Sequence, residues 1–200
     1  MNWTSTVSPL IKELELKKSP VIIRVNKFTE ESAKKFSEQM ALAHNTGQKV
    51  IPVVIDSYGG QVYSLMSMIS AIKHAKKPVA TIVEGKAMSC GAVLFSFGEE
   101  GLRFMDPNAT VMIHDVSSMD MGKVEELKAG AAEADRLNTI IYTMMARNCG
   151  KKDDYFMKIV DKKKHADWFL DAEEAKTHGM ANQLRVPSLT VTVDVNIELE

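Results

Sequence analysis

This sequence predicts an α/β fold with mainly parallel strands, and three observations carry the prediction. Short apolar runs of the buried-strand type recur at residues 21–25, 50–55, 79–83 and 110–114. Between them lie stretches whose apolar residues fall three and four apart, the period of a helix with one buried face. Parallel neighbours need such crossovers, whereas antiparallel strands can be joined by tight turns. Finally, 200 residues with a hydrophobic fraction of 45% can bury one sizeable core.

Taken in order, residues 1–20 read equally as a short helix begun at Ser8-Pro9 or as an extended arm, and stay unassigned. The run 21–25 leads to Thr29, a capping residue followed by Glu30 and Glu31, which opens an amphipathic helix ending near residues 45–47. Strand 50–55 finishes at Asp56-Ser57-Tyr58-Gly59-Gly60, and 62–75 reads as a helix with Leu65, Met66, Ile69 and Ile72 on one face. Strand 79–83 runs into Gly85-Lys86-Ala87-Met88-Ser89-Cys90-Gly91-Ala92, a small-residue bend, and then an apolar helix. After the Asp106-Pro107-Asn108 turn, 110–114 is the next strand. Residues 124–148 form a helix closed by Gly150, with Leu127, Ala131, Ala134, Leu137, Ile141 and Met145 in step. That helix is too long for a simple crossover and is expected to project or to pack on another subunit. Asp153 is expected to cap a helix over 155–160, and Asp171-Ala172-Glu173-Glu174 is a capping-box pattern before a short helix stopped at Gly179. Residues 189–199 alternate strictly, as in a half-buried strand, pairing with this sheet or with a neighbour's edge.

Lys plus Arg number 25 against 26 Asp plus Glu, a formal charge of -1, so nothing global points to nucleic acid or an anionic membrane. The Lys162-Lys163-Lys164 group reads as a solvated helix face. No apolar run is long enough to span a bilayer and residues 1–20 lack a secretory core, so a cytoplasmic protein is expected. Two cysteines, Cys90 and Cys149, have no metal-type spacing and suit a reducing compartment. No HExxH or phosphate-loop pattern is present, and neither a metal nor a nucleotide cofactor is expected.

The chemistry centres on Ser89. A strand, a bend and a helix start expose its hydroxyl beside free backbone N–H groups that favour developing negative charge. Small neighbours (Ala87, Gly91, Ala92) let a second backbone approach. A serine nucleophile needs a base, an orienter for it and oxyanion donors. Of five histidines, His114 ends an apolar strand, where parallel sheets gather functional groups. Asp115 adjoins it, but neighbouring strand residues point to opposite faces, and spacing alone cannot choose the carboxylate among 26 acids. Gly59-Gly60 can turn a bare N–H towards a ligand and leave room for an extended substrate. Thirteen methionines read mostly as core fill, with an adaptable apolar groove as the alternative for Met66, Met88 and Met112 near the site.

These pieces resemble the proteolytic subunit of the Clp protease, a family of self-compartmentalising serine peptidases. The matching blocks are Asp56 to Gly60, Gly85 to Ala92, Arg103-Phe104-Met105-Asp106-Pro107-Asn108 leading to Val111-Met112-Ile113-His114, and Ala166 to Ala175 ending at Gly179-Met180. The resemblance implies a ClpP/crotonase-type core of repeated β-β-α units in a spiral with a projecting handle helix. It implies a peptidase domain over 21–186; the arm at 1–20 and the extended tail at 187–200 lie outside the resemblance. Ser89 would be the nucleophile, His114 the general base, Asp167 its orienting carboxylate, and Gly60 and Cys90 the backbone oxyanion donors. Gly59 and Met88 would contact the substrate, an unfolded or delivered protein. The expected assembly is a homo-oligomer, a heptameric ring or double ring, with an AAA+ unfoldase as partner and as the source of any ATP dependence.

Several positions depart from the family pattern. Tyr58 stands where proline is usual, Cys90 where methionine is, and Asp115 where an uncharged residue is. An inward-turned Asp115 would favour the charged imidazole and move activity to higher pH. The segment 116–122 has one glycine where the family carries a glycine-rich strand. These features resemble the Clp-like proteases that phages encode for head maturation. The rival readings are a crotonase-type acyl-CoA enzyme, which would not require Ser89, His114 and Asp167 together, a Ser/Lys peptidase, and a silent ring subunit.

Overall fold

A computed structural model of the chain describes residues 20–117 and 121–190. Six strands make one sheet: β1 (Ile23–Val25), β2 (Ile51–Ser57), β3 (Val79–Met88), β4 (Arg103–Met105), β5 (Thr110–Ile113) and β6 (Trp168–Leu170). The order is β1-β2-β3-β5-β6, with β4 also paired to β3, and only β6 runs antiparallel to its neighbour. The helices are α1 (Glu30–His44), α2 (Val62–Lys73), α3 (Cys90–Phe95), α4 (Val124–Asn148), α5 (Tyr155–Lys162) and α6 (Ala172–Thr177). The alternation of strand and crossover that the sequence predicts is what forms, as an α/β fold.

Strand β3 organises the sheet because its two halves have different partners. Residues Thr81 to Val83 lie beside β4, whereas Lys86 to Met88 lie beside β5. The ladder to β5 keeps the strand extended through Met88, so the bend expected over residues 85–92 is confined to Ser89. One sheet face is covered by α1, α2, α3 and the second half of α4, forming the main core around residues such as Phe36, Leu65, Val83, Leu94 and Met145. The other face carries a small cluster, Val54, Ala80, Ile82 and Phe104.

Local chemistry explains the boundaries. Thr29 caps α1, and Ser32 returns the bond to the Thr29 N–H at 2.9 Å. Asp171 accepts from the Glu174 N–H at 2.8 Å in the expected capping box. Helix α4 has the expected bounds, and Gly150, at φ 65°, closes it. Its buried residues begin at Leu137, so the first half stands clear of the core. Asp154, not Asp153, precedes α5; Asp153 instead pairs with Arg147 at 2.7 and 2.9 Å. In α2, Met68 rather than Met66 is buried with Leu65, Ile69 and Ile72. Residues 187–190 form no regular element, and the rest of the expected strand at 189–199 lies outside the described residues, as does the arm at 1–19.

Candidate active site

Ser89 links β3 directly to α3 with φ 54° and ψ -121°. A non-glycine residue held there stores about 1–3 kcal/mol of strain, which its surroundings must contain. The Ser89 N–H donates to the Met112 carbonyl at 2.8 Å, and the Ser89 carbonyl accepts from Ala92 and Val93 at 3.0 and 3.2 Å. Gly59 closes the remaining side: a Cβ there would lie 2.7 Å from Ser89 Cβ and 3.2 Å from its Oγ. Only glycine lets the turn after β2 come so near.

That turn leaves a donor free. Gly59 N–H donates to Ser57 Oγ at 3.0 Å, and Gln61 N–H donates to the Phe28 carbonyl at 2.8 Å. Between them, the Gly60 N–H has no acceptor among the described residues, and neither does the Cys90 N–H at the start of α3. The Cys90 thiol donates to the Gly60 carbonyl at 3.2 Å, tying the two peptides together. Burial pushes this thiol up to about 11, so it stays protonated and remains a donor. Tyr58, in the same turn, is held by Lys86, whose ammonium lies 4.5 Å from the ring centroid while pairing with Asp56 at 2.8 Å.

His114 is the first residue beyond β5. Met112 and Ile113 face Phe169 and Trp168 across the antiparallel ladder, and one further step sets His114 opposite Asp167. Their Nδ1 and Oδ1 atoms are 3.5 Å apart, an ion-pair distance looser than a good hydrogen bond. Asp167 is the wetter partner, its side chain 55% exposed against 26% for His114. Ser89, Cys90, Gly60 and His114 line one cleft of about 500 Å³, counting its open mouth, with Val62, Leu65, Ile113, Ile141 and Met145 as apolar walls. The serine and histidine share the cleft without a hydrogen bond between their side chains among the described residues.

Asp115 does not turn inward. Its Oδ1 accepts from Tyr142 Oη at 2.7 Å, and its Oδ2 lies 2.6 Å from His165 Nδ1. Burial, then the bond to Asp115, push the Tyr142 phenol above its ordinary range. Gly59 and Met88 adjoin Ser89 but do not line the cleft, and Met66 and Met112 do not line it either. Met145 does, with Asn138 and Tyr142 from the same helix. Sequence reasoning passed over these three; the signal was a polar Asn138 on an otherwise apolar periodic face.

The sequence matches the Clp protease family over residues 9–187. The ATP-dependent Clp protease proteolytic subunit 3 of Nocardia farcinica is 37% identical over 132 residues, 65% of this chain and 58% of that protein. The ATP-dependent Clp protease proteolytic subunit 2 of Mycobacterium bovis is 36% identical over 132 residues, 65% of this chain and 60% of that protein. The match to each thus spans less than two thirds of the relative's length. The family match extends from before β1 to beyond α6, taking in the Ser89 bend, His114 and the segment bearing Asp167, and the chain belongs to the Clp protease family.

Proposed function

We propose that this chain is a serine endopeptidase of the Clp type, with residues 21–186 as its peptidase domain. The observation that carries the reading is the convergence on one cleft of a strained Ser89, His114 and two backbone N–H groups without acceptors among the described residues. Ser89 Oγ attacks the substrate carbonyl while His114 Nε2 takes its proton. Asp167 lies at Nδ1 and favours the tautomer that leaves Nε2 free to accept. The oxyanion lies between the Gly60 and Cys90 N–H groups, each worth about 3 kcal/mol in the transition state. The C–N bond breaks as His114 returns the proton to the departing amine, and water then hydrolyses the acyl-serine. Contacts of this kind tighten when substrate binds, and the 3.5 Å His114 to Asp167 distance has room to do so. The apolar cleft walls favour an apolar side chain next to the scissile bond.

The working form is a homo-oligomeric ring, single or double, whose chamber admits unfolded proteins or those delivered by an AAA+ unfoldase in the cytoplasm. No helix among the described residues is long and apolar enough to cross a membrane. The test is hydrolysis of unfolded casein and of a short fluorogenic peptide by wild type and Ser89→Ala, with native mass recorded on the same samples. Wild-type cleavage lost in Ser89→Ala supports the reading. If neither substrate is cut and Ser89 resists a fluorophosphonate in an assembled ring, the chain is a silent subunit.

A further inference from the structure

We propose that Asp115 is a positioning residue that sets the distance between His114 and Asp167, acting through Tyr142 and His165; this rests on the triad reading above. The His114 to Asp167 contact is too long and too exposed to hold itself, so its geometry is imposed from both sides. One side is the β5–β6 ladder, which ends at Ile113 and Trp168. The other is the turn after α5, where Lys164 and His165 both take left-handed backbone, φ 56° and 59°. Two successive non-glycine residues in that region persist only where the surroundings hold them.

Among the described residues, the Asp115 carboxylate is a side-chain tie that holds this turn to the histidine segment. Asp115 follows His114 in the chain, and His165 precedes Asp167 by two residues. The 2.6 Å contact between them therefore spans the two segments that carry the pair. The other oxygen of Asp115 takes the Tyr142 hydroxyl at 2.7 Å, and Tyr142 is buried on α4. The same helix holds the next residue, since Asn138 Oδ1 accepts the Val116 N–H at 2.7 Å. On its far side His165 Nε2 lies 3.5 Å from Asp161 Oδ1, so the imidazole sits between two carboxylates. A long helix is thus joined through one carboxylate to the two segments that carry His114 and Asp167.

The test measures kcat and KM for peptide hydrolysis by the full chain, with thermal melting and native mass as controls. Asp115→Ala is expected to lower kcat by about 10- to 100-fold, the cost of displacing a reacting group by a fraction of an ångström, with KM within about twofold. Placed in an Asp167→Ala background, the same change should alter kcat by less than about twofold, because Asp115 sets the His114 to Asp167 distance and without the Asp167 carboxylate that distance no longer matters. His165→Ala should follow Asp115→Ala. His165→Asn should restore most of the rate, since asparagine tolerates left-handed backbone and offers an N–H to Asp115. Wild-type kcat in Asp115→Ala, or losses that multiply in the double variant, overturns the inference while leaving the triad intact. Should Asp115→Ala fail to fold, the surface His165 pair decides, and equal rates for wild type and His165→Ala overturn it. Full turnover in Ser89→Ala or Asp167→Ala removes the triad reading and this inference with it.

Discussion

A methyl group added at Gly59 would meet Ser89 Cβ at 2.7 Å, on backbone whose φ of 107° already disfavours any side chain. Either the serine or the 59–60 turn must move, and both possibilities separate the proposed nucleophile from the Gly60 N–H. Gly59→Ala is therefore expected to lower kcat/KM by about 100-fold or more, while the fold loses roughly 1–3 kcal/mol. Denaturant titration alongside kinetics checks this, and a stability loss with unchanged kcat/KM would contradict it. His114 was readable at this scale because it ends an apolar strand run, and Ser89 because small residues surround it at a helix start. Asp167 was not. Its pairing with His114 comes from the β5–β6 register, between segments some fifty residues apart in the chain.

Among the elements, β4 shows how a short strand closes the sheet edge. Arg103 is 2% exposed and donates to the carbonyls of Met180, Gly98 and Gly179 at 3.0, 3.0 and 3.1 Å, and to Glu100 at 2.7 Å. Its side chain thus fastens the segment after α6 to the sheet. Arg103→Met keeps apolar bulk but strands these acceptors, at about 1–3 kcal/mol for each that water cannot reach. A loss of at least about 3 kcal/mol in urea unfolding is expected, and a loss under about 1 kcal/mol would mean that water replaces the guanidinium. The long helix α4 was legible because its period persists over 25 residues and glycine ends it. Strand β3 was legible only in its first half, since Gly85 to Met88 stay extended through pairing with β5, a contact that local composition does not encode.

For the whole molecule, the first turns of α4 carry apolar side chains into solvent, Val124 at 66% and Leu127 at 39% exposure. In the proposed ring a neighbouring copy covers them. The double variant Val124→Asp, Leu127→Asp should move native mass towards the 22.2 kDa protomer, with helix content by circular dichroism unchanged. An unchanged native mass would show that assembly does not use this face.

The sequence by itself determined the α/β class, the Thr29 and Asp171 caps, the placing of His114 at a strand end and that of Ser89 at a helix start. These follow from patterns within about twenty residues, where periodicity and capping chemistry act. The tertiary structure decided what residue spacing left open, that Asp167 is the carboxylate beside His114, that Asp115 bonds Tyr142 and His165, and that α4 supplies Asn138, Tyr142 and Met145 to the cleft. Those outcomes depend on strand register and helix packing between distant segments, and on burial, which decides which side chains meet only after the chain has closed on itself.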